Sequence, residues 1–433
     1  MNKSVLGQEP YLAGRLNIGA AGPRCRMLLG DVNGDGRMEL VLVQPDARKD
    51  VRYIPHQVQC VTAFDLDGNL LWQTGEPTTN AGSQGSDYPA QIADIDGDGR
   101  LEVLCVMDGR FVILDGQTGH VKSARELPGP HAHDCIIVAN LTGGTYAGDV
   151  ILKDRYHTLW AMDRDFNLLW KHEGNPGHFP WVYDLDGDGR DEVMAGYDLL
   201  DHDGRPLWSC RELEDHADCI WVGDVNGDGE PELVIGGSVT VMYDRHGNEL
   251  WRYTGSVESQ HVALGRFRDD LPGLQIAGLD RLVREDDGKG RKGKDALFLL
   301  DREGNELWKE DRSTAGWLTI IEPLRGWDEG GLDHILAYRR GGGVPPTLYD
   351  GHMNPVVQFN AEGYAVYGDL LGCGMVQVII YNDETASIYS SRPLELSEKS
   401  GRQIPQPKRL SSSTLYPGGE VPIGQNTKEM SAR

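Results

Sequence analysis

The sequence predicts an all-β chain folded as an eight-bladed β-propeller, and three observations carry that prediction. First, the phrase D-x-D/N-G-D-G-x-x-E occurs four times between apolar runs, beginning at Asp31, Asp94, Asp184 and Asp224. Second, an apolar run, a polar turn built on Asp and a return toward Trp recur between those loops. This phrase stands at 64–72, 161–170, 199–208, 242–251 and 299–308, with weaker versions at 113–121 and 348–357. Third, helical spacing is nearly absent, whereas short apolar runs bounded by Gly, Asp and Asn read as strands joined by tight turns.

Alternating the two phrases gives four short strands, A to D, in a unit of about 45 residues, the period of a propeller blade. Strand A starts near Arg26, Ala90, Cys135, Pro180, Cys219, His261, Leu318 and Ala365, which makes eight units. The A–B loop is degenerate in the units that begin at Cys135, His261 and Leu318, and in the last one. The last unit also lacks a strand D, and YLAGRLNIG (11–19) supplies it from the start of the chain, closing the ring. A single propeller over residues 11–392 follows. Residues 393–433, rich in Pro, Ser, Gly and Lys, are expected as a surface strap or an unstructured tail.

Composition narrows the function. With 67 acidic against 42 basic side chains the 433-residue chain carries a formal charge of −25. Phosphate binding draws on clustered Lys and Arg, so nucleic acids and anionic membrane surfaces are disfavoured as partners. No run of about 18 apolar residues is present to span a membrane. The first twenty residues lack the apolar core of a secretory signal. The seven cysteines are scattered without CxxC spacing, as in a reduced core. A cytoplasmic monomer is the expectation.

The repeated acidic loop places oxygen ligands at its positions 1, 3, 5 and 9, with glycines allowing the tight turn between them. A hard cation wants six to eight oxygens, and such a loop with water supplies them, so Ca2+ is the expected ion. The four ligand sets are Asp31, Asn33, Asp35 and Glu39; Asp94, Asp96, Asp98 and Glu102; Asp184, Asp186, Asp188 and Glu192; and Asp224, Asn226, Asp228 and Glu232. These loops more often pin the A–B connection than touch a substrate.

Blade geometry then separates two faces. The A–B and C–D turns share the face of the acidic loops, and the D–A and B–C connections share the opposite one. That second face gathers Tyr88, His131, His133, His178, His216 and His261 from D–A connections. From B–C connections come His56, Lys153, Arg155, Tyr156, His157, Arg281, Tyr338 and Arg339. Seven of the thirteen histidines thus converge on one rim of an acidic protein. A concave mouth lined by titratable groups is the default active-site candidate. The long charged loop at 281–295, with its GKGRKGK run, fits a mobile solvated loop or a cationic lid over an anionic ligand. P-loop, G-x-S-x-G and HExxH motifs are all missing.

The stretch Asp184–Gly237 is similar to rhamnogalacturonan lyases of polysaccharide lyase family 11. Its parts follow in order: acidic loop, Y-D-L-L-D-x-D-G from Tyr197, Trp208, and H-A-D at 216–218. The resemblance extends weakly over residues 24–392, and integrin-type FG-GAP repeats share the loops alone. It implies a calcium-dependent eight-bladed propeller that cleaves acidic polysaccharide or oligosaccharide by β-elimination. The chain is shorter than typical members, and the family's active-site residues are not carried over.

Elimination at a uronate needs a group to neutralise the carboxylate, a base for the C5 proton and an acid for the leaving oxygen. Arg155, Arg281, Arg339 or calcium suits the first task. His133, His216, His261 or Lys153 suits the second, and Tyr156 or Tyr338 the third. The expected catalytic group is His133, His216, Lys153, Arg155 and Tyr156. Substrate contacts are expected from His56, Tyr88, His131, His178, His261, Arg281, Tyr338 and Arg339. A glycoside hydrolase, for which Asp134 and Asp218 are the obvious rim carboxylates, and a non-catalytic binding propeller remain as alternatives.

Overall fold

The computed structural model describes residues 9–48, 54–82, 87–210, 213, 216–283, 294–312, 319–339, 343–397 and 414–423. Eight sheets surround an axis, each with antiparallel strands that follow chain order from the inner strand outward, save for one strand added from the tail in the fifth and one from the start of the chain in the eighth. The innermost strands are Arg26–Gly30, Ala90–Ala93, Ile136–Ala139, Trp181–Tyr183, Cys219–Gly223, Ser259–Gly265, Thr319–Leu324 and Tyr364–Gly368. They lie within two residues of the sequence-based starts, because the period of the two phrases fixes them even where an acidic loop has degenerated. The first strand, Tyr11–Asn17, pairs antiparallel with Thr385–Ser390 and completes the eighth sheet. Apart from one short 3-10 turn at Gly19–Ala21, the described residues contain no helix, and none long and apolar enough to cross a membrane.

The core lies between neighbouring blades. Leu28, Val41 and Val61 of the first blade meet Ile92, Val103 and Leu114 of the second, all buried. Each such side chain contributes about 1.5–3 kcal/mol by leaving water. The Trp of the second phrase locks one blade to the next. The indole Nε1 of Trp72 donates to the Gly116 carbonyl of the following blade at 2.8 Å. Trp170 does the same to His202, Trp208 to Arg245, Trp251 to Arg302 and Trp308 to Gly351. The phrase therefore recurs because each outer strand must reach the C–D turn of its neighbour.

The tail adds a strand that the sequence alone did not place. Gly419–Val421 pairs parallel with Cys219–Gly223, making the fifth blade a five-stranded sheet. An innermost strand offers its free edge only to the axis, so this part of the tail runs inside the channel. The stretch preceding it, 398–413, is outside the described residues, as are 284–293 of the expected lid loop.

Candidate active site

The mouth opposite the acidic loops is built on residues that immediately precede inner strands. The Asp134 amide donates to the Lys153 carbonyl (3.0 Å), and the Asp218 amide to the Gly236 carbonyl (2.8 Å), fixing both aspartates beside the end of a B strand. The His178 amide donates to the Ala217 carbonyl (3.0 Å), which draws the entry into the fourth blade against H-A-D of the fifth. Chain direction thus brings residues far apart in sequence onto one rim.

Two adjoining groups result. In the first, Asp134 is fully buried and bound by the Lys153 ammonium and by Arg155, whose Nε and Nη2 lie 2.9 and 2.7 Å from Oδ1. Lys153 also donates to the carbonyls of Asp154 and Arg155, at 3.2 Å each. Burial pushes the Asp134 carboxyl up, but Lys153 and Arg155 outweigh it and hold it below the usual range. Burial disfavours the Lys153 charge, yet Asp134 keeps its pKa above normal. The sequence-based role of Lys153 as a base therefore gives way to a structural one, since its proton is held and its donors are engaged. Arg155, expected to meet a substrate carboxylate, is committed to Asp134.

Asp87 lies against this group, fully buried. Burial, reinforced by Asp134, pushes its carboxyl up to about 7. Neither of its oxygens makes a hydrogen bond of ordinary length. His178 (Nδ1–Oδ2 4.0 Å) and the Thr414 hydroxyl stand beside it.

The second group is His178, His216 and Asp218. Asp218 Oδ1 lies 3.7 Å from His178 Nε2 and 3.5 Å from His216 Nε2. One ligand atom from each residue falls within 4.8 Å of the other two. Two imidazoles and a carboxylate converging at this spacing form a donor set that suits a divalent cation after a small contraction. Tyr156 borders the set, its ring centroid 5.2 Å from His216 and 5.7 Å from His178. Burial pushes the Tyr156 phenol up, so it keeps its proton across the physiological range. The tail's Tyr416 stacks flat on His178 at 3.7 Å and lies parallel to His261 at 5.5 Å.

Other expected residues are placed apart. His56 is buried, with Nδ1 2.9 Å from Asp46 and its ring 5.8 Å from Tyr88. His133 is buried against the His56 carbonyl (3.3 Å), and burial lowers its pKa and keeps it neutral. His131 is exposed at the rim, 5.8 Å from His133. Arg281 pairs with Glu258 inside the sixth blade (Nε–Oε2 2.7 Å). Tyr338, expected as a proton donor, gives its hydroxyl to Glu322 (2.8 Å) within the seventh blade. Arg339 is half-buried at the end of the same strand. Asp87 and Tyr416 were missed. Asp87 had a signal, for an Asp just before an inner strand also marks Asp134 and Asp218.

The acidic loops fold around their own backbone. The first Asp of each accepts loop amides: Asp31 from Asp35 and Gly36 (2.9 and 3.0 Å), and Asp224 from Gly227 and Gly229 (2.7 and 3.1 Å). Asp94 and Asp184 accept the equivalent glycine amides. The closing glutamates are buried. Burial, reinforced by neighbouring aspartates, pushes Glu39 up to about 8 and Glu192 and Glu232 up to about 7. The second loop differs, because Lys122 Nζ reaches both Asp96 and Glu102 at 2.7 Å.

The eight sheets define an eight-bladed propeller, and residues 31–105 match the FG-GAP-like repeat family. Among individual proteins, the chain is similar to rhamnogalacturonan endolyase YesW and rhamnogalacturonan exolyase YesX of Bacillus subtilis (strain 168). It is 24% identical to each over 241 aligned positions, covering 42% of this chain and 38% and 39% of theirs. The chain thus matches under two-fifths of the length of these relatives. Solved structures extend the likeness in fold. An exotype rhamnogalacturonan lyase YesX superposes with a TM-score of 0.63 at 19% identity, covering 91% of this chain and 76% of that one. The Bacillus licheniformis rhamnogalacturonan lyase PL11 gives 0.61 at 16%, covering 96% and 78%. The V. cholerae biofilm matrix protein Bap1 gives 0.59 at 13%, covering 93% and 97%.

Proposed function

We propose that this propeller is a polysaccharide lyase that cleaves a uronate-containing, rhamnogalacturonan-like glycan by β-elimination at the mouth opposite the acidic loops. The observation that carries the reading is the convergence of His178, His216 and Asp218 beside Tyr156, in a chain whose sequence relatives are rhamnogalacturonan lyases. A divalent cation on those three residues would neutralise the uronate carboxylate and acidify the C5 proton. His133 lies apart from this group, buried against the His56 carbonyl, so it is not assigned the C5 proton. Tyr156, held protonated, suits donation to the leaving oxygen. Asp134, Lys153 and Arg155 brace the rim beneath them. The acidic loops are the proposed Ca2+ sites, each stapling an A–B connection on the far face.

The hydrolase alternative gains little support from Asp134, which Lys153 and Arg155 seal, and would rest on Asp87 and Asp218, the carboxylates on either side of His178. The test is ultraviolet absorbance during incubation with rhamnogalacturonan and related uronate oligosaccharides. Absorbance from a new C4–C5 double bond is expected. His216→Ala and Asp218→Ala are expected to lower the rate at least about 100-fold with unchanged circular dichroism. New reducing ends without absorbance would mean hydrolysis. A flat trace without new ends would leave a binding propeller.

A further inference from the structure

The segment Thr414–Ile423 lies across the candidate site rather than on the surface. Thr414 stands at Asp87 on the entry to the second blade, and Tyr416 at His178 on the entry to the fourth. The Tyr416 hydroxyl accepts a hydrogen bond from Gln260 Nε2 of the sixth blade at 3.3 Å. Gly419–Val421 then follows the channel-facing edge of the fifth blade's inner strand. Only the axis of the ring adjoins all of these at once. Seven of the eight sheets have four strands, so this fifth strand is the one exception among the described residues.

Its seating is tight. Leu415, Tyr416 and Val421 are buried, and the Tyr416 ring fills the space between two imidazoles, inclined by 5° to His178 and 1° to His261. Pro417, Gly418 and Gly419 form the thin part of the segment. A Cβ on Gly418 would meet the Ile220 carbonyl oxygen at 2.4 Å and the Trp181 ring at 3.2 Å. With the segment in place the His178 and Asp218 side chains are only 6% and 3% exposed, and the Tyr416 ring covers one face of the His178 imidazole.

We propose that Thr414–Ile423 is an intramolecular occupant of the site, with Tyr416 holding the slot between His178 and His261 that a sugar ring of the substrate takes when the segment withdraws. A flat ring carrying a hydroxyl toward Gln260 presents the features a pyranose offers to the same slot: a stackable face and a hydrogen-bonding rim. The segment is held by the Tyr416 ring, the buried Leu415 and Val421, the Gln260 hydrogen bond and a three-residue parallel pairing, none of which is needed to keep a blade folded, so it can open locally. Its effect on turnover rests on the lyase reading; its seating does not.

The test is acylation of histidines by diethylpyrocarbonate in the full-length chain, read residue by residue by mass spectrometry. In the unaltered protein His178 and His261 are expected to react slowly beside the exposed His131 and His246. Gly418→Val, which forces the segment off Ile220, is expected to speed both at least about tenfold and leave the two exposed histidines unchanged. Tyr416→Ala, which removes the ring without straining the backbone, is expected to do the same and decides the matter if Gly418→Val does not fold. His178 and His261 reacting as fast as His131 in the unaltered chain, or staying protected in both variants, overturns the proposal. On uronate oligosaccharide the two variants are expected to turn over faster than the parent. If no chain turns over, the lyase reading fails while the acylation pattern still settles the occupant.

Discussion

Glu322 sits on the innermost strand of the seventh blade and receives the Tyr338 hydroxyl at 2.8 Å. Burial pushes its carboxyl from 4.5 up to about 7. A carboxyl raised in the folded state contributes stability below its unfolded pKa and loses it as pH rises through the folded value. The wild-type protein should therefore lose stability between about pH 5 and 8, and Glu322→Gln should not lose that share. At pH 8 the variant is expected to be more stable by about 1–3 kcal/mol in denaturant unfolding, and indistinguishable at pH 5. An equal difference at both pH values would mean that the carboxyl does not titrate in this window. The same residue engages the Tyr338 hydroxyl, a contact the sequence does not signal. Sequence put Tyr338 on the right face, but Glu322 lies mid-strand, where no motif marks it. His178, His216 and Tyr156 were legible because they sit on connections whose face follows from strand order. Lys153 and Arg155 stand on the same rim, but their pairing with Asp134 was not legible, since it depends on side-chain direction.

At the scale of the blade, the recurring turn and the recurring Trp are two halves of one contact. Gly247 adopts φ +85°, and a Cβ there would meet the Trp208 ring of the preceding blade at 2.6 Å. Gly204 faces Trp170 and Gly304 faces Trp251 in the same way. Gly109, in the second blade's B–C turn, has φ +75° and open space around the missing Cβ. Backbone strain alone predicts a loss of about 1 kcal/mol for Gly109→Ala. Gly247→Ala adds displacement of a packed indole and its bond to the Arg245 carbonyl, so about 2–4 kcal/mol is expected. Equal losses in parallel denaturant titrations would show that the indole contact contributes nothing. This contact explains why the phrase persists where the acidic loop has decayed: the loop serves one connection, whereas the Trp serves the joint between two blades. Hence the blade count was readable from sequence, while the tail strand was not. Gly419–Val421 has no partner within its own unit, and three residues of G-E-V carry no period.

Across the whole molecule, the four acidic loops stand on one face of a protein of charge −25. Each loop concentrates carboxylates, and this repulsion opposes closure of the ring unless a cation answers it. On the proposed reading calcium would bind the folded loops and not the open chain, so each filled site would stabilise by about 2.7 kcal/mol when free calcium is 100-fold above Kd. Chelation should therefore lower Tm by several degrees, more at low ionic strength than at high, because salt screens the residual repulsion. The second loop supplies a finer test. Lys122 already spans Asp96 and Glu102, placing an ammonium where an ion would share those two ligands. Lys122→Met removes the competitor and leaves the carboxylates, so the variant is expected to bind one more equivalent of calcium in equilibrium dialysis. Its Tm should also fall further than the parent's on chelation. The same calcium stoichiometry in both proteins would mean that Lys122 coexists with the ion. A Tm insensitive to calcium in both would mean that the loops hold their shape through the Asp–amide bonds alone. That result would remove calcium from the stability of the ring and leave any metal requirement to the His178, His216 and Asp218 group at the opposite mouth.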